Sequence, residues 1–108
     1  MFARILEFEV KMEKKQDFIK TLKNEVLPIL KKQPGFLELL PFFSEKFEEK
    51  KVINISFWDQ KLNAERYEKE VFPKIQEIVK PYLTTPIVVR NYLLETTLCE
   101  HFEKALAA

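Results

Sequence analysis

Apolar and other residues alternate from Phe2 to Val10, with Phe2, Leu6, Phe8 and Val10 on one side and Ala3, Ile5, Glu7 and Glu9 on the other. A period of two predicts a first strand. From about Glu13 to Lys32 the spacing changes to three and four, with Phe18, Leu22, Val26 and Ile29 forming a stripe flanked by Ile19 and Leu30 and opposed by Lys14, Lys20, Lys23 and Lys31. That pattern predicts an amphipathic helix. Pro34 resists its continuation, and Gly35 can take the positive φ of a C-terminal cap. Phe36 to Ser44 (FLELLPFFS) then reads as a second strand, placed at a sheet edge because Pro41 cannot donate to a ladder. The charged run Glu45 to Lys51 predicts a solvated hairpin turn, and Val52 to Trp58 (VINISFW) a third strand. Asp59 or Asn63 is the expected cap of a second helix, in which Ala64, Tyr67, Val71, Ile75, Ile78 and Tyr82 recur at three and four residues until Pro81 closes it. Ile87 to Leu94 (IVVRNYLL) reads as the fourth strand, and Thr97 to Ala108 as a tail with a short helix.

Glu25-Val26-Leu27-Pro28 in the first helix is echoed by Glu70-Val71-Phe72-Pro73 in the second. Chance and an ancestral β-α-β duplication both account for the echo. Either way, each helix carries a proline mid-length, which removes a hydrogen bond and crowds the carbonyl four residues earlier, so a kink or one-turn break is expected near each. The order β-α-β-β-α-β is that of the ferredoxin-like, split βαβ plan, an α+β fold with an antiparallel sheet.

In that plan both helices cover one face of the sheet. Neither face of this sheet is polar. Strand three sets Val52 and Trp58 against Ile53, Ile55 and Phe57, and strand four sets Ile87, Val89 and Leu93 against Val88, Tyr92 and Leu94. An uncovered apolar sheet face would exceed the few hundred Å² that soluble monomers usually expose. A homodimer paired through the sheet face is therefore expected.

Composition narrows the chemistry. A chain of 108 residues with 46% hydrophobic and 32% charged residues fits one globular domain spanning 1–108, with a core at about 2–96 and a tail at 97–108. Eighteen basic and seventeen acidic side chains leave a net charge of +1, which gives no field to hold a nucleic acid or an anionic membrane. No apolar run approaches the roughly 20 residues that cross a bilayer. With one cysteine, Cys99, and no leader-like segment before the first strand, a cytoplasmic location is expected. The single glycine excludes phosphate-cradling loops of Walker or Rossmann type. One histidine, His101, with Cys99 nearby in the tail, cannot supply a zinc site, and a Ser-His-Asp triad would have to draw on that same residue. No metal is expected.

The segments Gln33-Pro34-Gly35-Phe36, Ser56-Phe57-Trp58-Asp59 and Asn63-Ala64-Glu65-Arg66-Tyr67, taken with the element order, resemble the antibiotic biosynthesis monooxygenase family of dimeric α+β barrel proteins. The likeness spans roughly Phe2 to Glu95. It implies a cavity between sheet and helices in each protomer and, as in several members, oxidation of an aromatic substrate by O₂ with no metal or flavin cofactor. A substrate acidic enough to be deprotonated passes the electron itself, and the protein binds, deprotonates and desolvates it. On this reading Asn54 and Tyr67 hydrogen-bond the substrate and Arg4 or Arg90 stabilises its anion, while Trp58, Ser56 and Tyr82 line the pocket. Asn91 is a further polar group on a strand. Each has a plain alternative: Asn54 and Ser56 satisfying backbone groups, Arg4 or Arg90 pairing with Glu7, Glu38 or Glu95, and Trp58 and Tyr67 filling core. A haem-degrading branch of the family uses a strand-one asparagine, a helix-two tryptophan and a haem-ligating histidine. Here those positions fall on Arg4, Tyr67 and near Glu77, so haem degradation is not expected. The expected function is that of a cofactor-independent monooxygenase acting on a small aromatic or polyketide-like compound; the alternative is a non-catalytic homodimer that binds a small ligand or serves as an interaction module.

Overall fold

The computed structural model describes residues 1–46, 48–96 and 98. The predicted tail helix, Cys99 and His101 lie outside the described residues. Strands β1 (Phe2–Glu9), β2 (Phe36–Phe43), β3 (Lys51–Trp58) and β4 (Val88–Leu93) form one antiparallel sheet in the order β2-β3-β1-β4. This is the ferredoxin-like arrangement expected from the element order. Pro41 sits on the edge strand β2, opposite Asn54, where its missing N–H breaks no ladder bond on a second side.

Both prolines interrupt their helices, each in its own way. The first helix begins as a 3₁₀ turn at Met12–Lys14, continues as α1 (Lys15–Thr21), widens into a π-helical turn at Leu22–Val26 and resumes as α2 (Leu27–Lys31). The Leu27 N–H bonds the Leu22 carbonyl, five residues back. This wider turn is where the helix accommodates Pro28, whose ring would otherwise press on the carbonyl of residue 24. The second helix breaks at Val71 (φ −120°, ψ −38°) into α3 (Lys61–Glu70) and α4 (Phe72–Val79). The break moves Pro73 from a helix interior to a first turn, where an absent N–H leaves nothing unbonded.

Capping differs from expectation. Gln60 stands at the N-terminus of α3 and makes no side-chain cap, whereas the Asp59 carboxylate accepts from Asn63 Nδ2 at 2.8 Å and the Asp59 N–H donates to the Gly35 carbonyl at 2.8 Å. Asp59 is committed to holding the end of β3 against the turn at Gly35. That turn has φ +80°, and a Cβ on Gly35 would fall on Asp59 Oδ1 and within 2.5 Å of Asn63 Nδ2. All three of the short segments that carried the family likeness are thus in direct contact.

The helices cover the face bearing Phe2, Leu6, Phe8, Val52 and Trp58, all buried. The other face carries Ile5, Ile55 and Phe57 half-buried and Phe42, Ile53, Val88 and Tyr92 exposed, with no covering layer among the described residues. No helix among the described residues is long and apolar enough to cross a membrane.

Candidate functional site

The helix-covered face has a polar centre. In the β1–β3 register Arg4 lies opposite Ser56 and Leu6 opposite Asn54, so Arg4, Asn54 and Ser56 form one patch in an otherwise apolar layer. Alternation places all three on the inner side, and all are buried, Arg4 at 1% exposure. Its guanidinium lies 5.0 Å from the ring centre of Tyr67 and 4.5 Å from that of Phe72, sharing the charge with two aromatic faces. Glu68 Oε1 stands 3.7 Å from Arg4 Nη2, an ion pair too long for a hydrogen bond. Arg4 Nε, Arg4 Nη2 and Asn54 Oδ1 have no hydrogen-bond partner among the described residues.

These groups adjoin a cavity between the sheet and the helices. Its polar lining is Arg4, Asn54, Ser56 and Tyr67, and its apolar walls come from β1, from the π-helical turn (Leu22, Val26) and from α4 (Phe72, Ile75, Val79). A water-sized sphere finds about 20 Å³ of room, enough for one water. Burial pushes the Tyr67 phenol up to about 12 against the opposing pull of Arg4, so it stays protonated and available as a donor. Burial also lowers the Arg4 pKa, with Tyr67 and Glu68 opposing the shift. A guanidinium remains charged under these influences.

The structure brings Arg4, Asn54, Ser56 and Tyr67 together and leaves three predicted residues outside the cavity wall. Trp58 is fully buried behind it, its indole N–H donating to Ser56 Oγ at 3.0 Å and its ring packed between Tyr67 (4.8 Å) and Phe36 (5.6 Å). It positions Tyr67 and occupies Ser56. Tyr82 lies in the 3₁₀ turn after α4, accepts a hydrogen bond from Thr21 Oγ1 at 2.9 Å and packs on Phe18. Arg90 is a correction. It lies opposite Ile5 on the uncovered face, is exposed, and donates to Glu7 Oε2 at 2.8 Å. Arg90 shares a side of β4 with Val88 and Tyr92, both exposed. Asn91 is opposite Arg4 but exposed on the edge strand.

The expected partners of Arg4 also change. Its acidic neighbour is Glu68 on α3 and not Glu7, Glu38 or Glu95, because Arg4 points away from the face that Glu7 occupies. Sequence reasoning missed Glu68 and Phe72. Phe72 was within reach, since it falls in the repeated Glu-Val-Phe-Pro segment beside a predicted break. Glu68 had no signal beyond adjacency to Tyr67. Glu77, at the position of a haem ligand in the haem-degrading branch, is exposed. No group of three or more His, Cys, Asp or Glu gathers among the described residues.

A family model described as antibiotic biosynthesis monooxygenase matches residues 1–71. No curated protein sequence matches the chain. Among solved structures the chain is similar to a Bordetella bronchiseptica protein carrying the antibiotic biosynthesis monooxygenase name, with TM-score 0.71 at 13% identity over 88% of this chain and 97% of that one. It is also similar to a Streptomyces coelicolor monooxygenase solved in complex with nanaomycin D, with TM-score 0.69 at 17% identity over 91% and 90% of the two chains. A Mycobacterium tuberculosis protein gives TM-score 0.68 at 12% identity over 91% and 98%. Identities this low speak for a shared fold.

Proposed function

The chain belongs to the antibiotic biosynthesis monooxygenase family, and from that premise we propose that it is a monooxygenase that oxidises a small aromatic or polyketide-like compound with O₂, using no metal or flavin. The observation that carries this reading is the Arg4 guanidinium, buried with unpartnered N–H groups beside an apolar cavity that Asn54 and Tyr67 also border. A buried cation with spare donors stabilises a substrate anion, and an aromatic anion is the species that gives an electron to oxygen. For a ring CH₂ made acidic by flanking aryl and carbonyl groups, the balance is R₂CH₂ + O₂ → R₂C=O + H₂O. Arg4 selects the deprotonated form, Tyr67 donates to a substrate oxygen, and the apolar walls exclude water from the anion and from the peroxide that follows. No strong base is needed if the substrate arrives already ionised. Entry of a ring requires the cavity to open. The break at Val71 separates the two rings over Arg4, Tyr67 on α3 and Phe72 on α4, and provides the place to do so.

The protein acts as a homodimer on this reading, its exposed Phe42, Ile53, Val88 and Tyr92 covered by a second copy. Oxygen-electrode assays with a panel of phenols and quinols test the catalytic proposal, and no uptake above the uncatalysed rate with any of them would sink it. The 20 Å³ of room, enough for one water, favours a second reading, a non-catalytic homodimer that serves as an interaction module. That reading predicts neither oxygen uptake nor binding of an aromatic probe.

A further inference from the structure

Arg4 Nε and Nη2 share one edge of the guanidinium, the edge that grips a planar two-oxygen group with parallel N–H bonds. Both are buried and unpartnered, and Glu68, the counterion beside Nη2, sits 3.7 Å away with its side chain 40% exposed. The Glu68 carboxylate therefore neutralises Arg4 loosely from the solvent side without filling its hydrogen-bonding edge. One step along the sheet, Asn54 Oδ1 is a buried acceptor that lacks a donor. Two donors and one acceptor thus border the same cavity.

We propose that this arrangement is a receptor for a planar anion with two neighbouring oxygen acceptors and a hydroxyl beside them. The two oxygens lie on the Nε/Nη2 edge, the hydroxyl donates to Asn54 Oδ1, and Glu68 is displaced into solvent as the anion enters. The proposal rests on the reading that the cavity is the ligand site, and narrows its substrate class. Ortho-hydroxy aromatic carboxylates carry the whole pattern; the enolates of aromatic 1,3-dicarbonyl compounds carry its two oxygens and lack the hydroxyl. A neutral phenol offers one oxygen and leaves half the edge unbonded, at the cost of a buried donor without a partner.

Calorimetric titration of the full chain with salicylate, with its neutral isostere salicylamide, and with benzoylacetone above and below its enol pKa tests the proposal. Emission of Trp58, the chain's one tryptophan, whose ring lies 4.8 Å from Tyr67, reports occupancy independently of any turnover. Salicylate or benzoylacetonate should bind at least tenfold more tightly than its neutral counterpart. Arg4→Lys, which keeps the charge and loses the edge, should cut that ratio below threefold while the far-UV circular dichroism stays native. Glu68→Gln should tighten salicylate binding severalfold by removing the competing counterion. Preference for salicylate assigns the carboxylate class, and preference for benzoylacetonate the enolate class. Equal binding of anion and neutral form, an undiminished ratio in Arg4→Lys, or no binding of any probe up to its solubility limit overturns the proposal. If Arg4→Lys does not fold, unchanged or weaker salicylate binding by Glu68→Gln overturns it instead. Anion preference without oxygen uptake upholds this inference and removes the oxidation reading; oxygen uptake with a neutral substrate and no anion preference removes this inference alone.

Discussion

Replacing Arg4 by Met should make the ligand-free protein more stable while abolishing anion binding. Arg4 Nε and Nη2 are buried and unbonded, and each such donor costs about 1–3 kcal/mol, or roughly 4 kcal/mol for the pair. Against this stand two cation–π contacts, at 5.0 and 4.5 Å, each worth about 2 kcal/mol when desolvated. The ion pair with Glu68 adds about 0.5 kcal/mol, its carboxylate being partly in water. Methionine is unbranched and flexible, so it refills most of the volume and recovers about 1.5 kcal/mol through sulfur contacts with the Tyr67 and Phe72 rings. The balance favours Met by about 1 kcal/mol, a rise of about 4–6 °C in Tm for a domain of this size. Urea melts and thermal melts at one fixed protein concentration, with and without salicylate, measure it. Salicylate should raise the wild-type Tm and leave that of the variant unmoved. A loss of more than about 1 kcal/mol in the variant would refute the reasoning, since it would mean that the guanidinium edge is satisfied and the site serves structure.

Gly35→Ala should destabilise by about 2 kcal/mol or more, combining the left-handed backbone cost of an L-residue with the displacement of Asp59 and Asn63, as read by urea denaturation. The Tyr67 phenol gives a pH signature: its folded pKa of about 12 exceeds its unfolded value of about 10, so the folded state binds more protons in between. Its stabilising contribution is whole below pH 10 and is lost as pH rises through 12. Tyr67→Phe should therefore flatten the fall in unfolding free energy between about pH 9.5 and 11.5. On the uncovered face the hydrogen bond from Arg90, then that from Lys51, holds the Glu7 carboxyl below the ordinary carboxylate range. Arg90→Ala should move its NMR titration midpoint upward, and the support this carboxylate gives above its unfolded pKa should then fade at higher pH on acidification. Phe57→Glu places a charge in the middle of that face, and light scattering should show a monomer where wild type is a dimer; a monomeric wild type at micromolar concentration would remove the dimer proposal.

The strands were legible because alternation is a backbone property that short windows report: Phe2 to Val10 and Val52 to Trp58 differ from the observed β1 and β3 by one residue each. Pro41 announced an edge for the same kind of reason, a missing donor. Both helix interruptions could be located from Pro28 and Pro73, but not their form, because a π turn and a clean break relieve the same clash and tertiary packing decides between them. The site was half legible. Arg4, Asn54, Ser56 and Tyr67 meet because parity puts the first three on one face and helical spacing puts Tyr67 over it. Arg90 was misplaced because three apolar positions on each side of the predicted fourth strand hid which side faced the helices, and Glu68 was invisible because a charge at the cavity mouth follows no period.

β1 writes two messages in alternate letters. Its even positions, with Arg4 among them, face the cavity, and its odd positions Ala3, Ile5 and Glu7 face outward beside Ile53 and Phe57. A substitution alters one message and spares the other. Deleting or inserting a single residue ahead of Arg4 without a compensating slip elsewhere would transpose both, sending the guanidinium to the outer face and an outward residue into its place. In evolutionary terms, β1 is a reading frame that tolerates spelling changes and forbids changes of length.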